Sequence, residues 1–309
     1  MPHWLSRATV CGALVAMSVS CAEEWIDPPA VDAAEFLQAH RQWRDERRAL
    51  LSDPIDSALS LAGLWPLKEG RTAFGSDPSS DVVLDARHAP PRAGTIVRTG
   101  NSFVLEPAAD ANLVLSSGEK VSSPIQASTD EASQPTTVRL GSLRLSIHVE
   151  PGPGYWIRVR DASSPQLKSV QATEVFEPDL RWRVAAKLER FPTPRLIQVD
   201  DVTGGVQPRE APGMLKFRIE GRVHRLMAVG TSDARSWRAP FKDATNRSST
   251  YQAGRYLAVA PPDASGWTVI DFNRAYNPPC AYSRYTVCML PPPENRLSIA
   301  VTAGEKRPK

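Results

Sequence analysis

The chain has 309 residues, 41% hydrophobic and 23% charged, which excludes an intrinsically disordered protein and leaves room for two ordinary domains. A formal net charge of +3 is small for this length, and the basic residues alternate with acids instead of forming a stripe interleaved with aromatics, so nucleic acid is not an expected partner. The 28 prolines and the scarcity of long helical runs favour strands and loops over a helical bundle.

His3 and Arg7 flank a short apolar run, Ala8 to Val19. It is too short to span a bilayer and has the form of an export signal. The run ends in Ser18-Val19-Ser20-Cys21, which resembles the bacterial lipoprotein processing site, with Ser18 where that motif prefers Leu. Residues 1–21 are therefore expected to be a lipoprotein signal, with Cys21 lipidated. The body is expected in the cell envelope or periplasm, touching a membrane only through that anchor. Cys11 would leave with the signal, so Cys280 and Cys288 would remain, with seven residues between them. A pair in an oxidising compartment reads as a disulfide. No C-x-x-C or H-x-x-x-H occurs, so neither a metal nor another cofactor is expected.

Residues 22–58 read as a tether and one amphipathic helix. Asp32 and Glu35 stand in the N-cap and N3 relation, Phe36, His40, Trp43 and Leu50 share a face with Leu37 and Leu51 beside them, and Asp53-Pro54 stops the helix. Residues 59–165 read as a first antiparallel β unit of sandwich size. Its expected strands are Asp81–Asp85, Thr95–Arg98, Phe103–Glu106, Leu113–Leu115, Leu143–Val149 and Tyr155–Val159, with turns at Gly100-Asn101, Ser117-Gly118 and Pro151 to Gly154. Ser- and Pro-rich residues near Asp161 to Asp179 mark a boundary, and residues 166–309 read as a second β unit with a Pro-rich C-terminal loop. Trp182, Val184, Ala186 and Leu188 alternate with Arg183, Lys187 and Glu189, the pattern of a half-buried strand. Leu196–Val199, Leu215–Ile219, Val223–Val229, Tyr256–Val259 and Trp267–Phe272 continue the unit.

The chain lacks G-x-S-x-G, P-loop, G-x-G-x-x-G and H-E-x-x-H signatures. Ser117 to Lys120 matches S-x-x-K, but it falls in a hairpin turn and not at the helix start which that chemistry needs. Lys68-Glu69-Gly70, Phe74-Gly75-Ser76-Asp77 and Asp81 to Leu84 resemble the opening of a forkhead-associated domain, a sandwich that binds phosphothreonine through an arginine and a later serine. Ser76 stands in place of that arginine and the serine-histidine element is missing, so the resemblance implies the fold without the phosphate site.

Polar residues concentrate at the C-terminal end. Asp243 and Arg255 precede a stretch that carries Asp271, Asn273, Tyr276, Asn277, Glu294, Asn295 and Arg296 around the two cysteines. Polar side chains on a stiff loop can orient a ligand, or they can lock the loop through bonds to backbone. GLWPLKEG, FGSDPSSDVVL, Tyr251-x-x-Gly-Arg-Tyr256 and DFNRAYNPPCAYSRYTVCMLPPPENRLSIAVTAGEK together resemble a bacterial and archaeal family known as domain of unknown function 1684. The resemblance runs from about Leu59 to Lys306 and implies no activity; the family has Cys-Pro where this chain has Cys288-Met289.

The expected protein is thus an exported, mostly β lipoprotein that binds a small polar ligand or cell-envelope component through these residues. A second expectation is a hydrolase-like enzyme, with Asp271 or Glu294 as general base and Arg255 or Arg296 holding an anion. A third is a structural or interaction lipoprotein without a ligand site.

Overall fold

The computed structural model describes residues 25–150, 154–172 and 174–308. The signal, Cys21 and the Pro151–Pro153 part of the turn lie outside the described residues. The chain is mostly β, with 41% of it in strands and 16% helical. Among the described residues one α-helix, α1 (Ala33–Ser52), is present. Asp32 caps it, its carboxylate accepting from the backbone N–H groups of Ala34 at 2.8 Å and Glu35 at 3.2 Å. Phe36, His40 and Leu51 are buried, whereas Leu50 is 53% exposed. The inward residue of the last turn is Leu51 and not Leu50, because Leu51 packs on Leu59 and Leu167.

The first unit is built from β1 (Leu61–Pro66), β2 (Gly70–Gly75), β3 (Val82–Val83), β4 (Gly94–Thr99), β5 (Ser102–Pro107), β6 (Val114–Leu115), β7 (Ile125–Ala127), β8 (Thr137–Leu140), β9 (Leu143–Glu150) and β10 (Gly154–Asp161). They form two five-stranded sheets, ordered β1-β10-β9-β8-β6 and β3-β2-β4-β5-β7. Phe74, Leu105, Leu145, Ile157 and Val159 belong to the shared core. The pairings are antiparallel except for β2 with β3, which is parallel. The expected Asp81–Asp85 strand shrinks to the two residues that pair with Phe74 and Gly75, with the Asp81 carboxylate just before them accepting from the backbone N–H of Ala73 at 2.8 Å.

The second unit contains β11 (Arg183–Asp200), β12 (Val206–Ile219), β13 (Arg222–Ala228), β14 (Trp237–Phe241), β15 (Arg255–Val259) and β16 (Trp267–Asp271). Its main sheet runs β13-β12-β11-β16, and β14-β15 forms a hairpin joined to it through the Val229–Arg238 bridge. Trp182, Phe217, Phe241 and Phe272 meet at its centre, with ring centroids 5.4 to 6.3 Å apart. Leu196–Val199, expected as a separate strand, is the far half of an 18-residue β11. Pro192 and Pro194 have no N–H to give the ladder, and the pairing with β12 lapses between Arg190 and Arg195. There β11 closes on Gly213, where a Cβ would sit 2.4 Å from the Glu189 carbonyl oxygen.

Candidate functional site

Arg255 and Asp243 meet as a fully buried pair, Nη2 to Oδ2 at 2.8 Å, with both side chains at 0% exposure. Arg255 Nη2 also donates to the carbonyl of Val301 at 3.0 Å, and Nη1 donates to those of Ala303 and Glu305. Burial pulls the guanidinium's pKa down, and Asp243 opposes the shift. Asp243 Oδ1 is spent on the N–H of Thr245 at 2.7 Å, the Thr245 hydroxyl and the N–H of Val301 at 3.3 Å. The pair thus pins the C-terminal segment onto β15. Gly254, at φ +107°, leads into it where a Cβ would lie 2.7 Å from the Phe241 carbonyl oxygen.

The three asparagines do similar work. Asn273 Nδ2 donates to the Asp179 carbonyl at 3.0 Å and its Oδ1 accepts from the Asp179 N–H at 2.9 Å. Asp271 caps the following turn, accepting from the N–H of Asn273 at 3.0 Å and from its Nδ2 at 2.9 Å. Asn277 is fully buried, with Nδ2 donating to the Lys306 carbonyl at 2.8 Å. Asn295 Nδ2 donates to the carbonyls of Met227 at 3.0 Å and Pro240 at 2.7 Å, and its Oδ1 accepts from the N–H of Met227. Glu294 and Arg296 are exposed. Asp243 and Arg296 do border one basin of about 800 Å³, together with Lys242, Arg247 and Arg307. The expected site residues are therefore divided among several local networks and do not converge on one point.

A second concavity lies beside that loop, between α1 and the second unit. A cleft of about 520 Å³ is lined by Trp43, Arg47, Arg209, Arg238, Tyr256 and Tyr276, with Cys288 and Met289 alongside. Of the ligand residues expected from sequence, Tyr276 lines it. Arg47 reaches from α1 to Glu305, Nε to Oε1 at 2.8 Å, and its Nη2 donates to the Asn277 carbonyl at 2.8 Å. Burial works against the charge of Arg47, but Glu305 outweighs it and the pKa rises. Glu305, 1% exposed, also accepts from the N–H of Asn277 at 2.6 Å and the Tyr282 hydroxyl at 3.1 Å. The Arg47 guanidinium then stands 5.1 Å from the Tyr276 ring.

On the opposite wall, Arg209 Nε donates to Met289 Sδ at 3.3 Å and the Tyr256 hydroxyl donates to the Met289 carbonyl at 2.6 Å. Burial raises the pKa of Tyr276, while Arg238 and Arg47 pull it down. A sequence signal for this cleft was present. Trp43, Arg47 and Leu50 recur at i, i+4 and i+7 on the same face as Phe36 and His40, with Glu46 at its edge, so part of the docking face walls the cleft.

Cys280 and Cys288 are free thiols, so the expected disulfide is not formed. They are nonetheless adjacent: the Cys280 N–H donates to Cys288 Sγ at 3.2 Å. The hydrogen bond with Cys288, then burial, pushes the Cys280 thiol well above its usual range, which disfavours a reactive thiolate. The Cys288 carbonyl accepts from the N–H of Val202 at 3.0 Å, and the N–H of Leu290 donates to Asp200 at 2.7 Å, tying this loop to the tip of the β11–β12 hairpin.

Fold and site together define a two-core β protein clasped by an N-terminal helix, with a cationic, aromatic cleft under the clasp. The chain belongs to the family described as protein of unknown function DUF1684, whose profile matches residues 168–306. It is 34% identical to an uncharacterized protein of Haloarcula marismortui solved in solution, over 43% of this chain and 75% of that one, with a TM-score of 0.37. The N-terminal forkhead-associated domain of EssC, a component of the bacterial type VII secretion apparatus, matches at 13% identity over 33% of this chain and 46% of that one, with a TM-score of 0.25. The forkhead-associated domain of Chlamydia trachomatis CT664 matches at 18% identity over 33% of this chain and 95% of that one, with a TM-score of 0.23. No curated protein matches.

Proposed function

We propose that the chain is an exported, lipid-anchored binding protein whose cleft takes a small anion carrying an apolar or aromatic body. The observation that carries this reading is the gathering of Arg47, Arg209 and Arg238 around Tyr256, Tyr276 and Trp43 on one concave surface. Arginine forks match carboxylate, sulfonate or phosphate groups, and the aromatic rings supply apolar contact. A hydrolase would need a base beside the bound anion. Asp271 is engaged as a cap and Glu294 is exposed, and neither lines the cleft; Glu46, the carboxylate that does line it, is exposed and accepts from Gln42 Nε2 at 2.8 Å, which favours binding over catalysis.

The probe for this reading is 8-anilinonaphthalene-1-sulfonate, an aromatic sulfonate that fluoresces in apolar surroundings. Saturable binding of one dye per chain is expected. Arg238→Ala should weaken it by about tenfold, the loss of one charge-assisted hydrogen bond. Dye binding that is unsaturable, or equal in the native chain, Arg238→Ala and Arg209→Ala, would sink the proposal.

In the oxidising compartment this reading implies, the two neighbouring thiols, free in this structure, are expected to oxidise to a disulfide. Closing so short a loop stabilises by about 2–3 kcal/mol on the chain-entropy estimate. Thiol labelling of denatured, unreduced protein taken from the cell envelope should find both cysteines blocked. Two labelled thiols would show that the pair stays reduced.

A further inference from the structure

We propose that the outer face of the main sheet in the second unit docks on an anionic phospholipid surface, with Trp25 and Trp267 as its aromatic contacts. The register of β16, β11, β12 and β13 places Trp267, Lys187, Lys216 and Arg225 in one row across four strands. Lys187 faces Lys216, and Lys216 faces Arg225. Like charges directly opposite one another destabilise a sheet, so a face that met only water would not be expected to line them up. Arg183 and Arg218 lie on the same face by the two-residue period, which sets five basic side chains against Glu189 and Asp271 on the strands and Asp263 at the Trp267 end, whose carboxylate accepts from the Trp267 N–H at 3.1 Å. Glu189 is shared between Lys216 at 3.4 Å and Arg225 at 2.9 Å. Asp271 stands 3.6 Å from Arg274. The face keeps an excess of positive charge.

The aromatic part is laid over that row. The Trp25 ring lies 4.4 Å from the Arg218 guanidinium and 5.5 Å from the Lys216 ammonium. It meets Trp267 edge to face at 6.1 Å, and the Lys187 ammonium is 5.1 Å from the Trp267 ring. Both tryptophans are part-exposed, and Ile26 beside them is 45% exposed. Tryptophan set among Lys and Arg is the combination that settles at a bilayer interface, where rings sit at headgroup depth and cations meet lipid phosphate.

The position of the chain argues for lipid over a soluble polyanion. Cys21 precedes Trp25 by four residues, a reach of at most about 14 Å. An acyl group on Cys21 would therefore hold this face against the membrane. That clause rests on the anchor proposed above, whereas the charge and aromaticity of the face do not.

The test uses the full chain with Cys21→Ser, which cannot be acylated, sedimented with vesicles of phosphatidylcholine alone or with about one third phosphatidylglycerol. Phosphatidylglycerol should strengthen binding. Lys187→Glu/Arg218→Glu in the same chain should remove at least about tenfold of that gain while binding to neutral vesicles is unchanged. The gentler Lys187→Gln/Arg218→Gln pair, with strand content checked by circular dichroism, separates lost charge from lost fold. No gain with phosphatidylglycerol, a gain the variants leave intact, or equal competition by soluble polyphosphate would overturn the proposal. Mass analysis of the mature N-terminus of the native chain tests the anchor alone. An unmodified end would remove the anchor and leave the vesicle result standing.

Discussion

Arg255→Ala is expected to destabilise the second unit by about 3–5 kcal/mol, the largest loss foreseen for any single substitution here. The change empties a fully buried position, strands the Asp243 carboxylate at 0% exposure and leaves the carbonyls of Val301, Ala303 and Glu305 short of donors. Asp243→Ala should be comparably severe, because it leaves the guanidinium as the uncompensated buried charge. Replacing both, as Asp243→Leu/Arg255→Met, should recover much of the loss, since an apolar pair carries no desolvation cost. Urea denaturation followed by fluorescence reads this directly, Trp182 and Trp237 being buried in that core. If Arg255→Ala shared the native midpoint, the pair would not be what holds the C-terminal segment, and a ligand role for Arg255 would return.

Asn295→Ala should cost roughly 3 kcal/mol, and its exposed neighbours should cost almost nothing. The Asn295 amide stands in for a strand where β13 and β14 part. It accepts from the Met227 N–H and donates to the carbonyls of Met227 at 3.0 Å and Pro240 at 2.7 Å. Alanine leaves three buried backbone groups unpaired. Asn295→Asp should be at least as damaging, because a carboxylate faces the two carbonyls without a donor. Glu294→Ala and Arg296→Ala alter exposed side chains and should stay within about 0.5 kcal/mol of the native chain. Equal, small effects at all three positions would show that the loop is not locked through Asn295.

These two expectations show why residue types near the C-terminus did not reveal their task. Asp, Asn and Arg on a proline-stiffened loop satisfy buried backbone as readily as they bind a ligand, and the same donors and acceptors serve both. Only knowing which groups they face distinguishes the two. For Asn295 the partners are Met227 and Pro240, 68 and 55 residues away. For Arg47 the partner is Glu305, 258 residues away. No local pattern specifies contacts of that range.

Local physics was legible wherever it was sufficient. The Asp32 cap, the stop before Pro54 and the alternation from Trp182 to Glu189 each followed from neighbours within a few residues. Two-residue and 3.6-residue periods record which side of an element meets a core, so the strands with clean alternation could be read from sequence. β1, β2, β7, β8 and β14 were not anticipated, and Gly63, Gly70 and Gly75 interrupt the alternation of β1 and β2. Pro192 and Pro194 split one long strand into two apparent ones, because sequence shows the missing donors but not the partner strand that carries on past them. The sequence by itself determined the fold class, the helix and its ends, and the polar character of the C-terminal segment. Tertiary structure alone decided that those polar groups bond mainly to the backbone of distant segments, that Trp43 and Arg47 wall a cleft with Tyr276, and that the two thiols are neighbours, because each is a relation between distant segments set by packing.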